Sequence, residues 1–185
     1  MISLQTPICN FGEKAPEFKL VQNQKTYTLN EVRDEKGLLV IFMCNHCPYV
    51  KCILPDLVIT VHKCQAMKIG CLAIMSNDIN DYPEDSPKNM KALSESFHFS
   101  FPYLYDASQE IAKKFGAICT PDFFGYNSNL ELQYRGRFDS RGKSTGSFGN
   151  NDLIEAMHLI ALTGSGPKNQ SPSIGCSIKW KNQNK

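Results

Sequence analysis

Apolar residues change their spacing several times along the chain, and each change indicates a different kind of element. Residues 38–43 (LLVIFM) and 71–75 (CLAIM) are continuous apolar runs of strand length, which predicts two buried central strands. Between them, apolar residues recur at helical spacing from Val50 towards Gly70, and Pro48 suits the first turn of that helix. The segment 38–75 is therefore predicted to be a strand–helix–strand unit with a right-handed crossover.

Shorter elements are predicted on both sides of this unit. Upstream, two strands form a hairpin around Gln22-Asn23-Gln24, and a short helix follows that is capped by Asn30 and ended by Gly37. Downstream, the predicted elements are a helix near 87–97, a strand near 101–106, a helix ended by Gly116, an antiparallel hairpin turning at 127–129, and a helix over 151–164. The order predicts an α/β fold with a central mixed sheet flanked by helices.

Length and composition predict one main domain, residues 1–164, and a C-terminal tail, residues 165–185. The chain has 185 residues, of which 42% are hydrophobic and 21% charged. The tail is rich in Gly, Pro, Ser and Lys but holds the single tryptophan, Trp180, which favours a docked segment. The net charge of +2 is too small to indicate a nucleic-acid or membrane partner. The N-terminus lacks the pattern of a signal peptide, so we expect the protein in the cytoplasm.

The strongest chemical signal is the stretch CNHCPYVKC, residues 44–52, which follows the first buried strand. Cys47 opens the predicted helix, where free N–H groups and the helix dipole favour a thiolate, so we expect it to be the nucleophile and the fastest-alkylated thiol, in a loop position. Cys44, three residues upstream, could resolve a mixed disulfide if Asn45-His46 forms a turn. His46 could stabilise a thiolate or shuttle a proton, or it could simply face solvent.

These motifs resemble a known family. VIFMCNHCPYVKCILPDL is similar to the strand–turn–helix of thioredoxin-like reductases, and FPYLYDASQEIAKKFGAICTPDFF resembles their later segment, in which a cis-proline lies beside the active thiol. The tail motif PSIGCSIKWK resembles an uncharacterised peroxiredoxin-like group of the alkyl hydroperoxide reductase/thiol-specific antioxidant superfamily. The resemblance implies a thioredoxin fold with an N-terminal β-hairpin extension, and a site made of Cys47, Cys44, His46, Thr120 and Pro121, with a cis bond at Thr120-Pro121. It also implies thiol–disulfide exchange or peroxide reduction.

Two departures from the resembling families bear on the chemistry. Aligned on the helix proline, Cys47 takes the place of the first thioredoxin cysteine and Val50 that of the second, and Cys44 stands where peroxiredoxins have threonine. The arginine that peroxiredoxins direct at their thiol is not evident, which leaves Arg135, Arg137 or Arg141 as substitutes. Cys119 and the tail residue Cys176 are further candidates for a redox role, Cys176 as an alternative resolving thiol.

Three function classes remain open from the sequence. The favoured one is a thiol-dependent oxidoreductase that takes a protein disulfide or a peroxide as substrate, uses an external thiol reductant and needs no cofactor. The second is a non-enzymatic thioredoxin-like binding module. The third is a metal site in which Cys44, Cys47 and Cys52 are joined by His46 or His62.

Overall fold

The computed structural model describes residues 2–142, 144 and 151–181, so the predicted domain and tail each include residues outside this set. The strands are β1 (Ser3–Gln5), β2 (Lys19–Gln22), β3 (Lys25–Thr28), β4 (Gly37–Phe42), β5 (Ile69–Met75), β6 (Tyr103–Tyr105), β7 (Cys119–Thr120), β8 (Asp122–Asn127), β9 (Leu132–Tyr134) and β10 (Ile174–Ser177). The helices are α1 (Leu29–Val32), α2 (Pro48–Ala66), α3 (Pro87–Ser96), α4 (Glu110–Phe115) and α5 (Asp152–Thr163), with a 3₁₀ turn at Pro83–Asp85.

The central sheet is mixed, as predicted. Strand β4 pairs antiparallel with β8, β8 pairs antiparallel with β9, and β5 pairs parallel with β6 in the same sheet. The backbone N–H of Met43 donates to the carbonyl of Ile74 at 3.0 Å, which places β5 beside β4. Helix α2 connects these two strands, so the predicted strand–helix–strand unit forms the centre of the molecule.

Helices cover both faces of this sheet, and the side chains of β4 alternate between the two cores that result. Leu39 and Ile41 pack into a core with α2, α3 and α5, whereas Leu38 and Val40 pack into a core with α1 and α4. A strand buried on both faces carries apolar side chains on both, and β4 does so at every position after Gly37. The predicted fold class, a thioredoxin-like α/β fold with a central mixed sheet flanked by helices, agrees with this architecture.

The C-terminal segment contributes strand β10 to a second sheet. Strand β10 lies between β1 and β7 and is antiparallel to both. Further along, the backbone of Lys179 accepts from Asp78 N–H and donates to the side chain of Asn77 at 2.9 Å, while the Lys113 ammonium lies 5.8 Å from the centre of the Trp180 ring. Because β10 pairs with β7, the C-terminal segment lies next to Pro121. Strands β1, β7 and β10 were absent from the sequence prediction.

Three local predictions are wrong. Helix α1 is capped by Thr28, whose side chain accepts from the Glu31 N–H, and not by Asn30. Gly37 ends no helix: it begins β4, at a φ of 144°, where a Cβ would lie 2.1 Å from the Tyr126 carbonyl oxygen. Gly70 lies within β5, and helix α2 ends earlier, at Ala66. A Cβ at position 70 would lie 1.9 Å from the Val32 carbonyl oxygen, so the strand requires a glycine there. Close backbone approach, not helix termination, explains both glycines.

Among the described residues, none of the helices has both the length and the apolar character that a membrane span requires.

Candidate active site

Cys47 occupies the N-cap position of α2, directly after the turn that follows β4. Pro48 lies in the first helical turn, where its missing N–H removes no hydrogen bond. The backbone N–H of Val50 hydrogen bonds to the Cys47 sulfur, as the free donors of a helix N-terminus allow. The sequence predicted an open loop position, but Cys47 is 0% exposed. Residues distant in the chain, Thr120 and Cys176, contact the sulfur and contribute to its burial.

Several hydrogen-bond donors converge on the Cys47 sulfur. The hydrogen bond from the Cys44 thiol is the largest cause that lowers the pKa of Cys47, to about 5. Burial acts in the opposite direction, and hydrogen bonds with the Thr120 side chain, the Val50 backbone and the Cys176 side chain lower the pKa further. In its thiol form Cys47 donates to the Thr120 carbonyl oxygen at 3.0 Å. The site therefore stabilises a Cys47 thiolate.

Cys44, in the turn that follows β4, has the opposite ionisation. Its hydrogen bond to Cys47, its burial and the negative charge of Asp85 raise its pKa well above the usual value. Its sulfur lies 3.4 Å from the Thr120 hydroxyl and 3.8 Å from His46 Nδ1. Near neutral pH Cys44 is therefore a thiol and Cys47 a thiolate, and the Cys44 S–H donates a hydrogen bond to the Cys47 sulfur.

The Thr120-Pro121 segment lies against both thiols, and its peptide bond is cis, which confirms the prediction. Thr120 directs its carbonyl oxygen at Cys47 and its hydroxyl at Cys44. Beside Pro121, a cavity of about 110 Å³ is also lined by Tyr49, Phe138 and Ile174. Pro121 itself forms part of the cavity lining, so the cavity opens next to the Thr120-Pro121 edge.

His46 does not face solvent. Its side chain is only 10% exposed, its ring stacks on Tyr82 at 5.0 Å, and its Nδ1 lies 2.6 Å from Asp85 Oδ2. The contact with a carboxylate requires a proton on Nδ1, since two acceptors would repel. Of the two alternatives left open by the sequence, the structure therefore excludes the solvent-facing one. The ring lies against Cys44, with Nδ1 3.8 Å from its sulfur, while the Nδ1 proton is donated to Asp85.

Asp85 is the site residue that sequence reasoning missed. It lies in the polar loop after β5, at the end of the 3₁₀ turn, and is fully buried. Oδ1 accepts from the backbone N–H groups of Asn45 and His46, and Oδ2 accepts from His46 Nδ1 and Asn77 Nδ2. These hydrogen bonds, led by the one from His46, outweigh burial and lower the pKa of Asp85. An acidic residue just before a Ser-Pro helix start looks like an ordinary helix-capping signal, so no local pattern distinguishes it.

Two further cysteines lie beside the site. Cys176 occupies β10 directly opposite Thr120, and its thiol hydrogen bonds to Cys47. Cys119 is next to Thr120 in β7, where burial and the negative charge of Asp122 raise its pKa. The structure therefore brings Cys176 into contact with the nucleophile through strand pairing and leaves Cys119 as a protonated, buried neighbour.

The three candidate arginines are each bound to a carboxylate. Arg135 pairs with Asp122 at 3.0 Å, Arg137 with Asp152 at 2.7 Å, and Arg141 with Asp56 and Asp139. Arg137 and Arg141 line the cavity beside Pro121. Their charges are thus balanced by acids, which lowers the attraction that any of them could exert on the Cys47 thiolate.

One group in the described residues has the composition of a metal site. Cys44, His46 and Asp85 each offer one ligand atom, and these atoms lie within 4.8 Å of one another, whereas the predicted ligands Cys47, Cys52 and His62 are outside the group. However, four donors already occupy the Asp85 oxygens, and the 2.6 Å contact between His46 and Asp85 is a hydrogen bond that leaves no room for an ion between them. These residues fit a hydrogen-bonded turn better than a coordination sphere.

The geometry can be set beside known proteins. The family model described as the AhpC/TSA family matches residues 11–138. An uncharacterized conserved protein from Geobacillus kaustophilus is 37% identical, with 99% of this chain and 98% of that chain covered and a TM-score of 0.92. A hypothetical protein from Sinorhizobium meliloti is 36% identical, with 96% and 98% covered and a TM-score of 0.90.

More distant structures agree with this chain in fold. A thiol:disulfide interchange protein of the thioredoxin family from Chlorobium tepidum is 16% identical, with 81% of this chain and 97% of that chain covered and a TM-score of 0.62. No curated protein matches the chain.

Proposed function

Because the chain belongs to the AhpC/TSA family and places a dithiol at the start of a helix, we propose that it is a thiol-dependent oxidoreductase acting by thiol–disulfide exchange. Cys47 is the nucleophile and Cys44 the resolving thiol. The observation that carries the proposal is the hydrogen bond between the two sulfurs, with a lowered pKa on Cys47 and a raised pKa on Cys44. That arrangement supplies a nucleophile and holds the second thiol next to the bond it must attack.

The reaction has two steps. The Cys47 thiolate attacks one sulfur of a substrate disulfide, forms a mixed disulfide and releases the other sulfur as a thiolate, which takes up a proton. Cys44 then loses its proton and attacks Cys47, which closes the Cys44–Cys47 disulfide and releases the reduced substrate. Thr120 contributes the hydroxyl and the carbonyl edge beside both sulfurs, and Pro121 shapes the edge against which a substrate segment would lie. An external thiol reductant restores the dithiol.

Peroxide reduction is the second candidate, and family membership favours it. The same Cys47 thiolate would attack a peroxide oxygen and break the O–O bond, which releases water or an alcohol and leaves a sulfenic acid. The Cys44 thiol would then attack the sulfenic sulfur, close the disulfide and release water. The pairing of Arg135, Arg137 and Arg141 with carboxylates makes this chemistry less well supported than disulfide exchange.

The test is peptide mapping after oxidation with a limiting amount of either glutathione disulfide or hydrogen peroxide. We expect a Cys44–Cys47 disulfide from both oxidants, formed faster per mole by the disulfide. A Cys47–Cys176 bond with Cys44 free would contradict the assignment of the resolving thiol. If replacing Cys47 by Ser left the biological function of the protein as it is in the wild type, the result would instead support the non-enzymatic binding module.

A further inference from the structure

Both residues between the two thiols are tied to one buried carboxylate oxygen. Asp85 Oδ1 accepts from Asn45 N–H at 2.8 Å and from His46 N–H at 3.2 Å. Asp85 Oδ2 accepts from His46 Nδ1 at 2.6 Å and from Asn77 Nδ2 at 2.7 Å. Asp85 is 0% exposed, so water does not compete for these hydrogen bonds. The turn between the thiols therefore opens only by breaking charge-assisted hydrogen bonds.

We propose that Asp85 is a positioning residue that sets how readily the Cys44–Cys47 disulfide closes, and this inference rests on the function proposed above. A disulfide requires the two Cα atoms to lie about 4.4–6.8 Å apart, whereas three residues of extended strand would separate them by roughly 10 Å. Asp85 holds the turn in its compact form while the thiols are still reduced. Cys44 is therefore present at a high effective concentration when Cys47 carries a mixed disulfide.

The step that Asp85 controls is the second one. Cys44 loses its proton, its sulfur bonds to Cys47, and the bond between Cys47 and the substrate sulfur breaks. The substrate sulfur leaves with the electron pair and takes up a proton, so no further oxidant or reductant enters. His46 uses its Nδ1 proton in the hydrogen bond to Asp85, and its ring lies against Cys44 with Nδ1 3.8 Å from the sulfur, so it contributes to this step by fixing the turn.

The charge of Asp85 and its positioning role have opposite effects on the reactivity of Cys44, which makes the inference testable. The negative charge is one of the causes that raise the pKa of Cys44, so removing it would by itself make Cys44 a readier nucleophile. Loss of the turn geometry would make Cys44 slower. Replacement of Asp85 by Asn keeps the size of the side chain and separates the two effects by their sign.

The experiment uses less than one equivalent of the aromatic disulfide dithiobis(nitrobenzoate) and follows release of the coloured thiolate. Attack by Cys47 releases one thiolate per reagent molecule, and attack by Cys44 releases the second. For Asp85→Asn we expect a first phase within about twofold of wild type and a second phase slower by about tenfold or more, the size expected for a lost charge-assisted hydrogen bond. Asp81→Asn, an exposed carboxylate of the same loop, is the matched control and should behave as wild type.

A second variant guards against a folding defect in Asp85→Asn. His46→Phe keeps a ring to stack on Tyr82 and both backbone hydrogen bonds to Oδ1, but removes the Nδ1 donor, so we expect a smaller slowing of the second phase. A second phase that is unchanged or faster in the folded variants would overturn the positioning role. A wild-type protein without a fast first phase, or a first phase that survives in Cys47→Ser, would overturn the proposed function instead.

Discussion

Helix α2 has a pair of buried cysteines at each of its ends. Cys44 and Cys47 lie at its N-terminus, while Cys64 in its last turn hydrogen bonds to Cys71 of β5. All four are at most 4% exposed, and each pair is joined by a hydrogen bond between sulfurs. The two pairs thus match in residue type, burial and proximity.

The pairs differ in the groups that surround the sulfurs. Cys47 receives a backbone N–H from the first helical turn and a side-chain hydrogen bond from Thr120, in addition to the Cys44 thiol. At the other end, the Cys71 thiol donates to the Ile69 carbonyl at 3.6 Å, and its hydrogen bond to Cys64, its burial and the charge of Asp34 all raise its pKa. Two neighbouring thiols can therefore lie in different electrostatic environments. At the N-terminal end the Cys44 thiol is the largest contributor to the lowered pKa of Cys47, and the Thr120 side chain and the Val50 N–H add further hydrogen bonds to its sulfur.

The sharpest way to break this comparison is to remove one thiol from each pair. We expect Cys47→Ser to lose the fast reaction with an aromatic disulfide entirely, whereas Cys71→Ser should stay within about twofold of wild type because a protonated thiol reacts slowly. Stopped-flow absorbance measures both. A fast phase that is lost in Cys71→Ser and kept in Cys47→Ser would reverse the roles of the two ends.

The second largest difference between the two pairs should appear in the pH dependence of their alkylation rates. With a pKa of about 5, Cys47 stays a thiolate down to pH 6, but its low basicity also reduces its intrinsic reactivity, by a Brønsted coefficient of about 0.4–0.5. Near pH 7 the larger thiolate fraction and the lower intrinsic reactivity almost cancel, so Cys47 and a thiol with a pKa of 9 should be alkylated at similar rates. At pH 6 Cys47 should be alkylated about tenfold faster than such a thiol, and Cys71 should be slower still. Competitive iodoacetamide labelling with peptide mapping at pH 6 checks this, and earlier labelling of Cys71 would contradict it.

The same ionisation also affects stability. The pKa of Cys47 is lowered from 9.0 on folding, so the folded protein binds fewer protons than the unfolded chain between pH 5 and 9. Its contribution to the free energy of unfolding is therefore fully present above pH 9 and is lost as the pH falls towards 5. Urea titrations of wild type and Cys47→Ser at pH 5 and 8 should show a larger difference at pH 8. A difference that is equal at both values would mean that folding does not lower this pKa.

The smallest expected effect concerns Cys176, whose hydrogen bond is the last of the main causes that lower the pKa of Cys47. Cys176→Ala removes the donor and should raise the midpoint of Cys47 alkylation by a few tenths of a pH unit, since one weak thiol donor is lost. Cys176→Ser keeps a hydroxyl donor and should restore the midpoint. Equal midpoints in all three proteins would show that the tail thiol does not contribute to the thiolate, and would place the whole difference between the helix ends in α2 and β7.

Much of the fold could be predicted from local patterns, and the reason lies in side-chain periodicity. Strand β4 is apolar at every position because both its faces are buried, and α2 shows helical spacing because only one face packs on the sheet. The glycines misled the prediction, since Gly37 and Gly70 are required by backbones that approach from elsewhere in the chain. Strands β1 and β10 escaped it because they are short and form only by pairing with each other and with β7.

The sequence by itself determined the parts of the site that are close along the chain. Cys44, His46 and Cys47 fall between a buried strand and a helix, so their neighbourhood follows from local structure alone. Only the tertiary structure decided their environment. Asp85 and Cys176 reach the thiols from a loop and from the C-terminal strand, and they set the turn and complete the donors around Cys47. Hydrogen bonds and electrostatic effects depend on distance in space, and no spacing along the chain records the contacts that long-range packing creates.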